Sequence, residues 1–250
     1  MSIVIPAWNE ESRLRHTLER YLTTLQASGM PFEVLVVIDG STDQTERIAR
    51  EFSGMNVRVV LHPTKLGKGG AVMRGFAETL YPSVGFVDAD GPIEPEDLLS
   101  LIAGLSEADC VVASRWVKGS AVRNRQPTTR VVLGKLWSFA VRGVLLLKVR
   151  DTQCGAKFFR KTVIDSVGKS VAVSDWAFDA SLLFHIRESG YTIREIPVTW
   201  SNKDGSKLVV ARALPVMLIS LLGIRLMNGR VGLYLPKTII AWAHTWLGSA

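Results

Sequence analysis

The chain has 250 residues, of which 47% are hydrophobic, and carries a formal net charge of +7. This is enough apolar material for one large domain, or for one domain with an appendage. Only two cysteines, Cys110 and Cys154, are present, which excludes a disulfide framework and favours a reducing compartment. The four histidines are scattered without the spacing of zinc ligands, so we predict no zinc site.

The first half of the chain alternates between strand and helix patterns. Strands are predicted at Ile3–Pro6, Glu33–Asp39, Asn56–Leu61, Val84–Asp88 and Cys110–Ser114. Helices are predicted between them, at Glu11–Ala27, Thr45–Phe52, Gly70–Leu80 and Pro95–Leu105. Apolar strands that alternate with helices indicate an α/β fold, in which a mostly parallel, Rossmann-like sheet has helices on both faces.

The pattern changes after Arg115. A long apolar helix is predicted first, then a loop, a second helix and a strand, at Val131–Val149, Asp151–Lys157, Asp179–Ser189 and Thr192–Trp200. The longest remaining apolar run, Ala213–Ile224, is too short to span a bilayer. We therefore divide the chain into a catalytic domain over residues 1–207 and an apolar helical, membrane-associating segment over residues 208–250.

The positive charge is concentrated in two stretches that are also apolar. Residues 115–150 contain nine Lys and Arg and no acid, and residues 201–250 contain six against a single acid, Asp204. Basic and apolar residues together favour an anionic membrane surface or a phosphorylated lipid over a nucleic acid. A basic face that simply contacts water remains the alternative interpretation.

Two carboxylates follow the apolar strand that ends near Val87. Asp88 and Asp90 have the i, i+2 spacing of side chains that share one face of an extended segment. Paired carboxylates at the carboxyl end of a strand suit Mn²⁺ or Mg²⁺ that also holds a phosphate. In open α/β sheets the same edge binds ligands, so a metal and substrate site is predicted here.

Polar segments follow other strands in the same way. The first strand continues into Trp8-Asn9-Glu10, and the second continues into Asp39-Gly40-Ser41-Thr42-Asp43. A glycine-rich loop with two lysines, Lys65-Leu66-Gly67-Lys68-Gly69-Gly70, opens a helix and is expected to face a phosphate. Ser41, Thr42 and Asp43 are instead expected to cap the helix that follows them. These segments should meet in one crevice because the carboxyl ends of parallel strands share one edge.

Several motifs together resemble a known family. In the first half they are Ile5-Pro6-Ala7-Trp8-Asn9-Glu10-Glu11, Asp39-Gly40-Ser41-Thr42-Asp43, Gly67-Lys68-Gly69 and Asp88-Ala89-Asp90-Gly91. In the second half they are Ala113-Ser114-Arg115, Arg150-Asp151-Thr152-Gln153-Cys154-Gly155-Ala156-Lys157, Trp176-Ala177-Phe178-Asp179, Pro197-Val198-Thr199-Trp200 and Gly205-Ser206-Lys207. Their order is similar to that of inverting GT-A glycosyltransferases of family 2, and most similar to dolichyl-phosphate β-glucosyltransferases of the polyprenyl-phosphate branch.

The resemblance implies a role for individual residues. Asp88 and Asp90 would hold the divalent ion, with Asp90, Arg115 and Lys207 acting at the reacting phosphates. The residues that would bind substrate are Pro6, Trp8, Asn9, Glu10, Val37, Asp39, Lys68, Ala89, Arg130, Gln153 and Lys203. Two positions depart from patterns common in related enzymes, because Ile38 precedes Asp39 where many members have an acid, and Pro92 stands where mannose-transferring members often have Gln.

The resemblance also implies an activity. The expected reaction is inverting, metal-dependent transfer of a hexose, most simply glucose from UDP-glucose, to a polyprenyl (dolichyl-type) monophosphate. The enzyme is expected at the cytoplasmic face of a membrane, held there by interfacial helices at Val131–Val149 and Leu208–Leu226. Trp137, Phe139, Leu145 and Met217 would contact lipid, unless both helices are ordinary core. Pairing of the chain with itself stays open.

Three other functions remain open at this point. A glycosyltransferase with a saccharide or other non-lipid acceptor would need a catalytic base and no lipid. A sugar nucleotidyltransferase would usually carry a loop rich in glycine and arginine where this chain has Ala7-Trp8-Asn9-Glu10. A non-enzymatic module that binds anions or membranes would leave the acids at the strand ends without a role.

Overall fold

The computed structural model describes residues 1–123, 128–171, 178–201 and 220–226. Within these residues a seven-stranded sheet has the order β3-β2-β1-β4-β7-β5-β8. Its strands are β1 (Ser2–Ala7), β2 (Glu33–Asp39), β3 (Val57–His62), β4 (Ser83–Val87), β5 (Cys110–Ser114), β7 (Ala156–Arg160) and β8 (Ile193–Pro197). A separate pair of short parallel strands consists of β6 (Ala121–Arg123) and β9 (Thr199–Ser201). The prediction of a mostly parallel α/β sheet is confirmed.

Seven helices accompany these strands in the described part of the chain. They are α1 (Leu14–Ala27), α2 (Thr45–Glu51), α3 (Gly67–Ala77), α4 (Pro95–Ala103), α5 (Thr128–Leu145), α6 (Lys161–Val167) and α7 (Phe178–Glu188). Short 3₁₀ turns follow α4 and α6, at Gly104–Ser106 and Gly168–Ser170. Residues 220–226 form a further helical stretch.

The side chains of β2 show why the strands are continuous apolar runs in the sequence. Val34, Val36 and Ile38 pack in the core on one face of the sheet. Leu35 and Val37 pack in a second core on the opposite face. Because helices cover both faces, each residue of the strand is buried whichever way it points.

Strand β7 was missed by the sequence analysis, which placed its first two residues in a loop. It is antiparallel to both β4 and β5, whereas the other paired strands of the sheet are parallel. Its Phe158 lies over Gly85 of β4, where an added Cβ would come 2.2 Å from the Phe158 ring. An inserted antiparallel strand is set by such long-range packing, which local periodicity does not report.

Two other predicted boundaries were wrong. The single strand predicted over Thr192–Trp200 is split into β8 and β9, which belong to different sheets. Pro197 ends β8, and proline has no N–H to continue a ladder. The predicted helix Val131–Val149 ends earlier, at Leu145, because Leu146 has a left-handed backbone with φ of 55°.

The structure corrects which residues of α5 lie at the surface. Trp137 and Leu145, which were expected to contact lipid, are buried in the core together with Val141. Phe139 is 74% exposed, as its predicted role requires. Met217 and most of the predicted segment 208–250 lie outside the described residues. No helix among the residues described is both long enough and apolar enough to cross a membrane.

Candidate active site

The carboxyl ends of three neighbouring strands, β2, β1 and β4, carry the polar segments that the sequence placed together. Asn9, just after β1, has a left-handed backbone with φ of 54°. Its Oδ1 accepts the backbone N–H of Thr42 at 2.8 Å, and its own N–H donates to Ser41 Oγ at 3.1 Å. These bonds join the loop after β1 to the loop after β2 and fix one wall of the site.

Asp88 and Asp90 lie at the end of β4 and remain open to solvent. Their side chains are 30% and 29% exposed. Burial, followed by the negative charge of Asp88, raises the pKa of Asp90 to about 6. Asp90 Oδ1 is itself buried and has no hydrogen-bond partner among the described residues. A buried carboxylate oxygen without a hydrogen-bond partner is unfavourable, and a bound cation would satisfy it.

Arg13 is a residue of this site that the sequence analysis missed. Its guanidinium donates two hydrogen bonds of 2.7 Å to the carboxylate of Glu10. The same group lies 3.8 Å from Asp90 Oδ2. It therefore orients Glu10 and adds positive charge beside the Asp pair. Its position three residues after Glu10 is the only local signal that could have indicated this pairing.

Lys68 lies among carboxylates in this structure. Its ammonium is 3.0 Å from Asp88 Oδ1 and 3.5 Å from Asp179 Oδ2. Burial alone would lower the pKa of Lys68, but the charges of Asp179 and Asp88 outweigh it and raise the pKa above its ordinary value. Lys68 is therefore a permanent cation at the edge of the Asp pair, in a position to reach a phosphate held there.

Lys68 contacts a buried ion pair formed by Lys157 and Asp179. Lys157 is completely buried, and its ammonium donates to Asp179 Oδ1 at 2.5 Å and to the carbonyl of Cys154 at 2.8 Å. Burial would raise the pKa of Asp179, but Lys157 and Lys68 outweigh it and lower the pKa below its usual range. Asp179 is therefore a carboxylate shared by two lysines. The sequence places Asp179 and Lys157 in two of the family motifs but predicts no contact for either side chain.

Asp39, which the resemblance predicts to bind substrate, contacts the start of helix α3 in this structure. Its carboxylate accepts the backbone N–H groups of Leu66 and Gly67, at 2.6 and 2.9 Å. These are the first amides of α3, which begins at Gly67 and not at Gly70. An acid at this position satisfies amides that have no partner inside the helix and favours its positive end. Asp39 thereby holds the glycine-rich loop against β2.

Other residues that are predicted to bind substrate differ in their exposure to solvent. Pro6 and Trp8 are half-buried, and the Lys65 ammonium lies 3.6 Å from the centre of the Trp8 ring. Ala89 is nearly buried between the two acids. Val37 is fully buried in the core with α3, so the structure does not bring its side chain to the crevice.

Arg115 makes a two-pronged ion pair with Asp151. The Arg115 Nε and Nη2 atoms donate to the two carboxylate oxygens at 2.7 and 2.8 Å. The backbone N–H of Arg115 also donates to Asp151, which is completely buried. Burial would lower the pKa of Arg115, but the charge of Asp151 outweighs it and raises the pKa. The pairing fixes the guanidinium at the end of β5 beside the loop that leads to β7.

Gly155 explains how that loop approaches the Asp pair. Its carbonyl accepts the backbone N–H of Asp88 at 3.0 Å, and an added Cβ would lie only 1.7 Å from Asp88 Oδ2. Only glycine permits this approach. In the same loop Gln153 has a buried Nε2 atom without a partner among the described residues. The structure therefore leaves the predicted substrate contact of Gln153 untested.

Three predicted site residues cannot be compared with this geometry. Lys203 and Lys207 lie outside the described residues, and Arg130 is placed in α5 without a described side chain. Their predicted contacts with phosphate remain predictions.

The donor atoms fit a divalent cation that also binds a ligand. Asp88 and Asp90 supply hard oxygens, and one of these oxygens has no other partner. No group of three or more acids, histidines or cysteines that could hold a metal occurs in the described part of the chain. Magnesium and manganese commonly complete such a two-carboxylate site with phosphate oxygens and water. The residues present therefore suit a divalent cation whose other ligands come from water or from a bound phosphate group.

Comparison with known proteins agrees with this geometry. Residues 2–168 match the model of the family described as glycosyl transferase family 2. The chain is 32% identical over 230 residues to a dolichyl-phosphate beta-glucosyltransferase of Homo sapiens, covering 84% of this chain and 69% of the relative. It is 33% identical over 233 residues to the protein of the same name in Drosophila melanogaster, covering 83% and 69%. The resemblance found in the sequence is confirmed.

Solved structures show the same fold. Glucosyl-3-phosphoglycerate synthase from Mycobacterium tuberculosis, in complex with Mn²⁺, uridine-diphosphate and phosphoglyceric acid, matches with a TM-score of 0.68. The match has 21% identity and covers 90% of this chain and 76% of the other. S. aureus TarS in complex with UDP-GlcNAc matches with a TM-score of 0.61 and 18% identity, covering 97% and 70%. At these identities the likeness shows the fold alone.

Proposed function

The chain belongs to glycosyl transferase family 2, and we propose that it transfers glucose from UDP-glucose to a polyprenyl monophosphate of the dolichyl type. That the chain is a glycosyltransferase follows from its family and its relatives. The sugar, the nucleotide and the acceptor are the proposed part. The names of the relatives at about 30% identity support the sugar and the acceptor, and the solved structure that holds uridine-diphosphate supports the nucleotide. The observation that carries the proposal is the open Asp88 and Asp90 pair. One Asp90 oxygen has no partner among the described residues, and the cations Arg13 and Lys68 each lie within 4 Å of one of the two acids.

A divalent ion, Mn²⁺ or Mg²⁺, would be held by Asp88 and Asp90 together with oxygens of the donor diphosphate. When bound, it would supply positive charge against the negative charge that develops on the departing nucleotide diphosphate. Arg13 and Lys68 add fixed positive charge to the same place, since each lies within 4 Å of one of the two acids. The crystallised relative that holds Mn²⁺ and uridine-diphosphate supports this assignment.

Transfer requires an acceptor oxygen to attack the anomeric carbon of the sugar while the bond from that carbon to the diphosphate breaks. Attack from the face opposite the leaving group inverts the anomeric configuration. A phosphomonoester acceptor is already largely ionised near neutral pH, because its second pKa is about 6. It therefore needs no protein base, and binding two anions in the correct orientation becomes the main task of the protein.

The acids around the site support a phosphate acceptor. Glu10, Asp151 and Asp179 are each paired with a cation, respectively Arg13, Arg115 and Lys157. The pKa of Asp179 is held below its usual range by Lys157 and Lys68 against the opposing effect of burial. Asp179, held as a carboxylate in this way, is a weak proton acceptor. A saccharide hydroxyl, which must lose its proton, is therefore a poorer fit than a phosphate.

The outer face of α5 supports a membrane-bound acceptor. On the outer side of this helix and just beyond its end lie five exposed apolar side chains, at Val131, Val132, Leu136, Phe139 and Leu146. Lys135 and Arg142 are exposed on the same side at helical spacing. Apolar residues beside cations suit the surface of an anionic bilayer. We propose that this face docks the enzyme on the cytoplasmic face of a membrane, and that residues 208–250 contribute to the same contact.

The direct test is transfer of labelled sugar into a lipid that partitions into organic solvent. The protein is incubated with Mn²⁺ or Mg²⁺, polyprenyl phosphate and a panel of UDP- and GDP-sugars, with Asp90→Ala as the matched variant. We expect label from UDP-glucose in the lipid phase and none with the variant. Label from another donor would correct the sugar, and nucleotide release only with water-soluble acceptors would overturn the lipid acceptor.

A further inference from the structure

Four charged side chains of alternating sign form a row that ends at the proposed metal site. Lys157 contacts Asp179, Asp179 also contacts Lys68, and Lys68 contacts Asp88. The successive N···O distances are 2.5, 3.5 and 3.0 Å. Both ammonium groups lie near the ring of Phe86, at 5.2 Å for Lys68 and 5.4 Å for Lys157. Lys68 is thus held between one acid of the core and one acid of the site.

We propose that Lys68 is a positioning residue that makes divalent-cation binding depend on the nucleotide diphosphate. This inference rests on the proposed function, because it assumes that Asp88 and Asp90 hold the metal. Without nucleotide, the ammonium already occupies one oxygen of Asp88 as its counter-ion. A divalent cation that bound the same carboxylate would meet a fixed positive charge a few ångströms away, and their repulsion would weaken metal binding.

The diphosphate removes this conflict. Its negative oxygens can contact the metal and the ammonium together, so the attraction of both cations to the diphosphate offsets the repulsion between them. The ammonium and the metal should then both favour the nucleotide, and the nucleotide should strengthen metal binding by the same factor as metal strengthens nucleotide binding. The enzyme would thereby load the metal with the donor and bind free metal weakly.

Asp179 and Lys157 keep the Lys68 ammonium in contact with both Asp179 and Asp88. If Asp179 were free of Lys157, it would be a full counter-ion for Lys68 and could draw the ammonium away from Asp88. Lys157 has no exposure to solvent, and its short contact to Asp179 satisfies much of that carboxylate. The longer contact, 3.5 Å, is the one left for Lys68. Lys68 therefore stays shared between Asp179 and Asp88.

Metal binding can be measured without turnover from the electron paramagnetic resonance signal of free Mn²⁺. We would titrate the wild-type protein, Lys68→Met and Lys68→Arg with Mn²⁺, each with and without UDP. Lys68→Met removes the charge and keeps an apolar stem, whereas Lys68→Arg keeps the charge. The matched control is Arg74→Met, which removes one exposed cation from the same helix, α3, where Arg74 pairs with Glu78.

We expect the wild type to bind Mn²⁺ weakly alone and about tenfold or more tightly with UDP. Lys68→Met should bind Mn²⁺ alone about tenfold more tightly than the wild type and gain less from UDP. Lys68→Arg and Arg74→Met should behave as the wild type. Thermal melting of each variant without metal checks that the proteins are folded, and Lys68→Gln, which also removes the charge, replaces Lys68→Met if that variant is unstable.

Two results would overturn the proposal in distinguishable ways. If the wild type binds Mn²⁺ with UDP but Lys68→Met has unchanged or weaker affinity for Mn²⁺ alone, the role of Lys68 is wrong and the metal site stands. If the folded wild type binds no Mn²⁺ even with UDP, the proposed metal site is wrong and the role of Lys68 falls with it.

Discussion

The acids at the end of β4 and the acids beneath them differ in how completely the fold satisfies them. Asp88 and Asp90 are about 30% exposed, and one buried oxygen of Asp90 has no partner among the described residues. Asp151 and Asp179 are buried and held by short contacts to Arg115 and Lys157. Asp88 and Asp90 can bind a further cation, whereas Asp151 and Asp179 are already paired with cationic side chains. Asp88 and Asp90 are therefore candidates for binding a ligand, whereas Asp151 and Asp179 hold Arg115 and Lys157 in place.

The two groups should therefore respond in opposite ways to substitution. An open carboxylate is costly to the folded protein, since it is partly desolvated and lies near a like charge. A saturated ion pair is costly mainly when one partner is removed, because the other charge is left buried. Activity should depend most on the first group and stability most on the second.

The largest expected effect is the loss of transfer when an open acid is neutralised. Asp90→Asn keeps the shape of the side chain but removes the charge that would hold the metal. We expect the transfer rate to fall about a thousandfold, because several kcal/mol of charge stabilisation are lost. The melting temperature without metal should stay the same or rise, since repulsion from Asp88 is removed.

Rates of sugar transfer and thermal melts of the same preparations measure both quantities. Glu46→Gln is the control, because Glu46 is a half-exposed acid of α2 that pairs only with Arg50 among its described salt bridges. If Asp90→Asn lowered the free energy of unfolding by as many kcal/mol as it raised the barrier to transfer, Asp90 would be a structural residue. The proposed difference between the open acids and the paired acids would then be wrong.

The next effect concerns stability. Lys157→Met should leave Asp179 buried with only its longer contact to Lys68, and we expect a loss of about 3 kcal/mol in the free energy of unfolding. Urea denaturation measures it, with Lys169→Met as the control at an exposed lysine. The double variant Lys157→Met, Asp179→Asn should recover part of the loss, because the unpaired charge is gone. A loss below about 1 kcal/mol in the single variant would contradict the assignment.

A third prediction extends the comparison to the two sides of α5. Phe139 is 74% exposed on the outer side, while Trp137 is buried on the inner side. Phe139→Glu should weaken flotation with anionic liposomes about tenfold or more, because the buried area of an aromatic ring is lost and a negative charge is added. Melting temperature should not change.

Leu80→Glu is a matched control, since Leu80 has the same 74% exposure but lies just after α3. It should float as the wild type does. Equal losses in the two variants would mean that the contact is not specific to the α5 face, and no flotation of the wild type would remove the proposed docking surface altogether.

The smallest expected effect is a pH dependence of stability from a buried group of α7. Burial lowers the pKa of His185, against opposing effects of Glu188 and the Ser170 backbone. Below pH 6.5 the unfolded chain therefore takes up a proton that the folded protein resists, so stability falls as the pH decreases. Asp90 acts oppositely in the same range, because its pKa is raised to about 6 and its protonation favours the folded state.

The contribution of His185 is isolated by comparing melting temperatures from pH 7.5 to 5.5 in the wild type and His185→Gln. The variant should lose less stability on acidification, by a few degrees at most. His16→Gln should not differ from the wild type, because His16 is exposed on α1. Identical pH profiles for wild type and His185→Gln would rule out this contribution.

Local sequence was sufficient for the part of the fold built from consecutive units. Strands β1, β2, β4 and β5 were predicted within about two residues at each end, because each is a buried apolar run bounded by turn residues. The antiparallel strand β7 was missed, and β8 was joined to β9. The partners of these strands lie far away in the chain, and nothing in a local window specifies them.

The candidate site divided in the same way. The sequence by itself placed Asp88 and Asp90 together after a strand. The structure ends β4 at Val87 and brings the two acids together in the turn that follows, where the Gly91 N–H donates to the carbonyl of Asp88. Only the tertiary structure decided that Lys68 contacts Asp88, that Asp39 binds the start of α3 and that Arg115 pairs with Asp151. Those contacts depend on where separate elements meet, and a charged side chain takes the nearest opposite charge or amide that packing brings to it.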